Sequence, residues 1–254
     1  MWCPSSAIWS ATGGGLRGRP FWSTAVIRPS NSHPIVLLSH SVDLPQTMRD
    51  RPMRFEDFLK RWRDNPSTAF QIALLMRIAA AVRDSSDCTG AVVVGSFAKG
   101  TADRLSDIDL IAFSSEGTGR SLFQTIRQQI APSKVFVTFD GAHDPDSPFQ
   151  KLVFDDLTSI EFHVISPSTE LTLEQPFVEI VNRDRCLESR TSSRLAPTGR
   201  DMTVFRYGDR FLAWELFNCL KWLWRGDFQT AKRYLVKLGR AIEASEEGEG
   251  SAFK

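Results

Sequence analysis

The chain has 254 residues, 42% of them hydrophobic and 24% charged, with a formal net charge of +1 at pH 7. No apolar stretch approaches the ~20 residues that a membrane-spanning helix needs, which predicts a soluble protein without a membrane partner. The nearly neutral charge disfavours a long nucleic acid as partner, because proteins that bind one usually carry a basic surface. The four cysteines show no Cys-x-x-Cys spacing, so neither a zinc site nor a disulfide framework is expected and a reducing cytoplasm suits the chain.

The first 47 residues differ in composition from the rest of the chain. From Met1 to Val42 there is no acidic residue, and the segment is rich in Ser, Pro and Gly without a helix or strand period. We interpret residues 1–47 as a disordered leader, either a transit-type peptide or the product of a start codon placed too far upstream. Met48 and Met53 lie just before the first helical pattern, which favours the second interpretation.

Regular patterns begin at Arg54. Apolar periodicity predicts, in chain order, helices over 55–62 and 67–83, strands over 91–94 and 107–113, a helix over 121–130, and strands over 134–139, 151–154 and 159–165. This order predicts a mixed sheet covered by helices, which is an α/β (α+β) fold.

Strand patterns fade after Pro167. Pro176 is expected to open a short helix that ends near Asn182, and residues 183–200 are expected to be a long connection. The run from Asp209 to Trp224 is nearly apolar all round, so it predicts a buried central helix, and a second helix follows from Phe228. We therefore divide the chain into an α/β domain over 48–166 and a helical bundle domain over 167–254.

A Gly-Ser turn and a pair of acids predict a functional site. Gly95 lets a phosphate approach the backbone closely, and Ser96 adds a hydroxyl beside free amides of the turn. Asp107 and Asp109 alternate with apolar residues, so they share one face of the second strand. Adjacent carboxylates repel each other and are stabilised by a divalent cation, and hard oxygen ligands favour Mg²⁺. The combination predicts a site for a metal-bound nucleoside triphosphate.

Each part of this pattern has a simpler interpretation when it stands alone. An isolated Asp-x-Asp at the start of a strand is usually a solvated edge or turn, and Lys99, although within reach of a triphosphate, is typical of loop cations that face water. The order of strand, Gly-Ser turn, short loop and Asp-x-Asp strand is much rarer than either part. The order therefore favours the functional interpretation.

At Gly95, Ser96, Asp107 and Asp109 the chain resembles the nucleotidyltransferase superfamily typified by DNA polymerase β. The string GSFAKGTADRLSDIDLIAF is similar to the small bacterial branch that includes aminoglycoside and lincosamide nucleotidyltransferases and the minimal nucleotidyltransferases of toxin–antitoxin modules. The resemblance spans residues 55–167. It implies a polymerase β-like catalytic domain over 48–166, and a helical domain over 167–254 that binds the acceptor.

That superfamily normally supplies a third carboxylate from a later strand. Ser159, Glu161 and His163 share one face of the strand over 159–165, so Glu161 is placed to reach the metal pair. The segment 160–163 also resembles a stretch of lincosamide nucleotidyltransferases in which a glutamate precedes a phenylalanine and a histidine. Glu161 could instead be a solvent-facing strand residue. His163 could move protons, orient the acid or cover the sheet.

The resemblance implies transfer of a nucleoside monophosphate, expected to be AMP from ATP, to a hydroxyl of a small acceptor such as an aminoglycoside or lincosamide. Mg²⁺ and ATP, or another nucleoside triphosphate, are the expected cofactor and co-substrate. The residues implied for nucleotide binding are Gly95, Ser96, Lys99, Asp107 and Asp109, and those implied for catalysis and metal binding are Asp107, Asp109 and Glu161. Glu161 would deprotonate or orient the acceptor hydroxyl.

Other functions stay open at this point. The chain could be a protein-modifying nucleotidyltransferase of a toxin–antitoxin system, or a catalytically silent nucleotide-binding protein. The identity of the acceptor and of the nucleotide base is not encoded in a recognisable pattern, and a homodimer is one possible oligomeric state.

Overall fold

The computed structural model describes residues 52–195, 204–205 and 207–250, so the predicted leader over 1–47 lies outside the described residues. Its helices are α1 (Phe55–Trp62), α2 (Ala69–Asp84), α3 (Gly95–Lys99), α4 (Gly119–Arg127), α5 (Leu212–Trp224) and α6 (Phe228–Gly250). Its strands are β1 (Met53–Arg54), β2 (Cys88–Val94), β3 (Asp107–Ser114), β4 (Val135–Ala142), β5 (Pro148–Phe154), β6 (Ser159–Ile165), β7 (Leu173–Gln175), β8 (Val178–Asn182) and β9 (Thr191–Leu195). None of the described helices is both long and apolar enough to cross a membrane.

Seven of the described strands form one mixed sheet in the order β1-β8-β2-β3-β6-β5-β4. The pairs β1–β8 and β3–β6 are parallel, and the other neighbours in this sheet are antiparallel. The chain leaves β3, passes through α4, β4 and β5, and returns as β6 beside β3. The predicted mixed α/β fold is therefore confirmed, and its central pair is the parallel pair β3–β6.

Strand alternation gives the two faces of the central pair different roles. On one face Ile108, Leu110, Ile160 and Phe162 are buried in the main core, which includes side chains of α1, α2 and α4. On the opposite face Ile111, Phe113 and Ile165 belong to a second apolar cluster, which is completed by residues of β2 and residues after β6. The opposite face also carries the polar residues at the start of β3 and β6.

The prediction of a short helix over 176–182 is wrong. Val178–Asn182 is strand β8, which pairs with β2 on one side and with β1 on the other. Val178, Ile180 and Val181 are buried, and β-branched residues fit a pleated surface between two strands better than a short helix. Tertiary pairing thus overrides the local signal of Pro176. Strand β8 lies after residue 166, where we predicted the end of the α/β domain. A segment of the predicted helical domain therefore belongs to the main sheet.

Helix α5 begins close to the predicted position, but it is not buried all round. Trp214 and Cys219 are buried, whereas Leu216 is 47% exposed and Trp224 is 49% exposed. One side of α5 contacts the sheet, where the Trp214 ring lies 5.9 Å from that of Phe139, and another side packs against α6. A third side of the helix is left uncovered by the described residues.

Replacement of Phe162 by alanine tests the central pair. Phe162 is fully buried with its ring 5.0 Å from that of Phe123, so Phe162→Ala is expected to lower the free energy of unfolding by ~3–5 kcal/mol. Phe136 is 75% exposed, and Phe136→Ala is expected to change it by less than ~0.5 kcal/mol. Urea unfolding of the two variants measures the difference, and equal losses would contradict the assigned core.

Candidate active site

The parallel register of β3 and β6 places acids from two distant parts of the chain side by side. Asp109 lies opposite Glu161, and Asp107 lies opposite Ser159. On the far side of β6, Lys151 of β5 lies opposite Glu161. Residues in register on neighbouring strands share a face of the sheet. Asp109, Glu161 and Lys151 therefore lie side by side on three strands. We call the three acids Asp107, Asp109 and Glu161 the acid row.

The Gly95 turn touches the acid row directly. Gly95 follows β2, whose last residue Val94 pairs with Asp109. Its φ is +70°, and a Cβ at this position would collide with Oδ2 of Asp109. Glycine is thus required both by the backbone conformation and by the close approach of the carboxylate. Ser96 and Lys99 lie in α3 immediately after it, and both are half-buried.

The charge of an acid-row carboxylate affects the pKa of Lys99. Burial lowers the pKa of its ammonium, and the carboxylate of Asp109 acts in the opposite direction. The predicted nucleotide-binding residues therefore lie beside the predicted acids.

Asp107 is paired with a lysine from the helical part of the chain. Its Oδ1 accepts hydrogen bonds from Ser159 Oγ and from Lys221 Nζ of α5. The Lys221 ammonium also lies 3.3 Å from Ser159 Oγ, and the Lys221 side chain is buried. One ammonium and one hydroxyl therefore bind the same oxygen of Asp107.

Glu161 is bound by two further side chains. Lys151 Nζ donates to its Oε2 at 2.7 Å, and His163 Nε2 lies 2.8 Å from its Oε1. His143 Nε2 lies 2.7 Å from His163 Nδ1, and the two imidazole rings are stacked. His163 therefore contacts the acid directly and does more than cover the sheet.

Asp109 and Glu161 differ in how easily they ionise. Burial, the charge of Asp107 and the charge of Glu161 raise the pKa of Asp109 well above its usual range. For Glu161 burial also opposes ionisation, but Lys151 and His163 outweigh it and lower the pKa of this carboxyl. Glu161 is therefore an ionised hydrogen-bond acceptor at neutral pH, and Asp109 is the acid whose charge is least compensated.

The acid row suits a hard divalent cation chemically, because carboxylate oxygens are the ligands that Mg²⁺ prefers and a cation would relieve the repulsion at Asp109. In the part of the chain that the structure describes, no group of three or more His, Cys, Asp or Glu side chains is arranged around one point as a metal site. Glu161 is directed to Lys151 and His163. The Asp107–Asp109 pair therefore fits a metal, whereas the third ligand stays a prediction.

Sequence reasoning missed the cationic partners of the acid row. Lys221 and Glu215 are the charged residues in the otherwise apolar segment 211–224, and a charge in such a segment is a signal for a buried partner. Lys151 and His143 carry no comparable signal, because their roles depend on strand pairing.

One family model matches the part of the chain that contains this site. Residues 75–168 match the family described as a nucleotidyltransferase domain, a range that runs from α2 to just beyond β6 and includes the Gly95 turn and the acid row. A solved structure described as "Structural Basis for the Activity of a Cytoplasmic RNA Terminal U-transferase" is 19% identical, over 44% of this chain and 35% of that chain, with a TM-score of 0.28. The chain thus spans about a third of that protein (35%).

No curated protein matches the chain. The family match covers the strands that carry Asp107, Asp109 and Glu161. Residues 75–168, which carry the Gly95 turn and the acid row, are thus similar to a nucleotidyltransferase domain.

Proposed function

We propose that the enzyme transfers AMP from Mg²⁺-bound ATP to a hydroxyl group of a small acceptor and releases pyrophosphate. The observation that carries this proposal is the parallel register of β3 and β6, which brings Asp109 beside Glu161 with the Gly95 turn in contact. Because the cysteines suit a reducing compartment, we propose the cytoplasm as its location.

The side chains of the site have distinct roles in this reaction. Asp107 and Asp109 would hold Mg²⁺, which when bound polarises the α-phosphate and stabilises the charge of the leaving group. The Gly95 turn and Lys99 lie next to Asp109, where backbone amides and an ammonium can bind phosphate oxygens. Glu161 would accept a hydrogen bond from the acceptor hydroxyl and direct its oxygen towards the phosphate.

The electrostatics of Glu161 favour orientation over proton removal. A general base works best when its pKa lies near the working pH, whereas Lys151 and His163 lower the pKa of Glu161 against the effect of burial. A carboxylate held from two sides keeps one geometry, which is what alignment of a nucleophile requires.

The charges near the site favour an acceptor of low positive charge. Lys151 lies 5.0 Å from the centre of the Trp214 ring and Lys221 lies 5.3 Å from it, so the aromatic surface beside the acid row has two ammonium groups. The acids there, Asp107 and Glu161, are already paired with these lysines. A polycationic aminoglycoside needs several unpaired acids. We therefore favour a lincosamide-like acceptor over an aminoglycoside.

The decisive experiment incubates the full chain with labelled ATP, Mg²⁺ and a panel of lincosamides and aminoglycosides. The expected product is a nucleotidylated acceptor that forms with Mg²⁺ and is absent with EDTA. A coexpressed protein that becomes heavier by one nucleotide would point to protein modification, and ATP binding without any transfer would contradict the proposed reaction.

Replacement of the two strand aspartates separates function from stability. Asp109→Asn and Asp107→Asn are both expected to abolish transfer, because each removes a metal ligand. In EDTA, Asp109→Asn is expected to raise the melting temperature, because it relieves repulsion by Asp107 and Glu161. Asp107→Asn is expected to lower it, because Lys221 becomes a buried ammonium without its ion pair.

The stabilisation by Asp109→Asn is expected to depend on pH. A raised pKa means that the folded protein binds the proton of Asp109 more tightly than the unfolded chain does, so the wild type loses stability as pH rises above the usual aspartate pKa of about 4. The difference in melting temperature should therefore grow from pH 4 upwards and vanish below it. A difference that shrinks with rising pH would show that the charge of Asp109 is compensated.

Glu161→Gln tests the third carboxylate. The amide keeps the size of the side chain but loses its charge, so turnover is expected to fall by about 10²-fold or more while ATP still binds. Asp156→Asn is the control, because Asp156 lies in the β5–β6 turn and its Oδ1 accepts from Thr158 N at 2.9 Å, a contact that asparagine retains. Loss of turnover in Asp156→Asn with a harmless Glu161→Gln would mean that the acid comes from the turn.

A further inference from the structure

Two ion pairs connect the C-terminal end of α5 to the start of β3 and to the loop before it. Lys221 donates to Asp107, and Arg225 donates to both carboxylate oxygens of Asp103 at 2.7 Å. The two cations are four residues apart, so they project from one side of the helix, and the two acids are also four residues apart. The Arg225–Asp103 pair is partly exposed, whereas both side chains of the Lys221–Asp107 pair are buried. The two ion pairs therefore differ in solvent exposure, although their cations and their acids have the same spacing along the chain.

The buried Lys221 ammonium depends on one acid to compensate its charge. Its ammonium contacts Asp107 and Ser159, and it lies 4.6 Å from the centre of the Phe217 ring. A buried ammonium is stable only when its charge is compensated, and among these contacts Asp107 supplies the negative charge. Asp107 is also one of the two carboxylates that fit a divalent cation.

A divalent cation and the Lys221 ammonium are alternatives at this carboxylate. Asp107 Oδ1 already accepts from Lys221 and Ser159, and a cation bound between Asp107 and Asp109 would lie beside the ammonium. Two positive charges within ~4 Å repel strongly where water is largely excluded. The ammonium therefore competes with a metal at the pair.

We propose that Lys221 acts as a stand-in cation for the metal. In the metal-free enzyme its ammonium neutralises Asp107, and the metal enters the Asp107–Asp109 pair only by displacing it. The Arg225–Asp103 pair remains during this exchange, so α5 stays attached to the sheet while the Lys221 side chain moves. This inference rests on the metal pair of the proposed function and adds a competition that weakens the binding of metal in the absence of nucleotide.

Titration of the full-length, metal-stripped protein with Mn²⁺ tests the exchange, with free Mn²⁺ measured by electron paramagnetic resonance. Lys221→Met keeps the length and the apolar contacts of the side chain and removes its charge. It is expected to bind Mn²⁺ at least about tenfold more tightly than the wild type, because the competing ammonium is gone. Adding Asp109→Asn to Lys221→Met is expected to remove the gain.

Arg225→Met is the matched control. It removes the same charge from the same helix one turn away, at a pair that is partly exposed and contacts no proposed metal ligand. Its Mn²⁺ affinity is expected to stay within about threefold of the wild type, since exposed pairs contribute little. A gain equal to that of Lys221→Met would overturn the exchange in favour of a general charge effect.

Two other outcomes separate this inference from the proposed function. Equal Mn²⁺ affinity in the wild type and Lys221→Met, with weaker binding in Asp109→Asn, would overturn the exchange and leave the metal pair standing. Failure of every variant to bind Mn²⁺ would overturn both. Thermal melting checks that each variant is folded, and Lys221→Gln, which removes the charge but keeps a hydrogen-bond donor, is the second variant if Lys221→Met does not fold.

Discussion

Mutual repulsion among three carboxylates on one face of the sheet is the constraint on which this structure depends. The parallel register of β3 and β6 leaves Asp109 opposite Glu161, and alternation along β3 adds Asp107 to the same face. All three side chains are largely buried, so water screens their charges poorly. The fold supplies cations from other elements, Lys151 from β5 and Lys221 from α5, and Asp109 between them is the least compensated of the three acids.

This charge balance also explains how α5 lies on the sheet. Apolar packing would allow the helix several orientations, since its Leu and Trp residues point in nearly every direction. The ion pairs of Lys221 with Asp107 and of Arg225 with Asp103 select one of them. Glu215, on another side of the helix, accepts a hydrogen bond from Tyr234 Oη of α6. These three charged residues, two in α5 and one directly after it, thus orient the helix towards two neighbours.

Local patterns in the sequence were sufficient for the strands of the acid row, because the alternation of Asp107 and Asp109 and of Glu161 and His163 requires no knowledge of the rest of the fold. Strand β8 was not predictable in the same way, since its conformation follows from pairing with β1 and β2. The same holds for Lys221, which is 114 positions from Asp107. Such contacts are properties of the tertiary structure, and periodicity carries no information about them.

The parallel pairing of β3 with β6 also determines when the acid row can exist. The β4–β5 and β5–β6 pairs are hairpins between chain neighbours, whereas Asp107 and Ser159 are 52 positions apart. Closing the longer loop has the larger entropic cost, so local hairpins and helices can form before the central pair closes. A partly opened chain therefore retains most of its secondary structure without the acid row, and the capacity for chemistry arises only with the complete sheet.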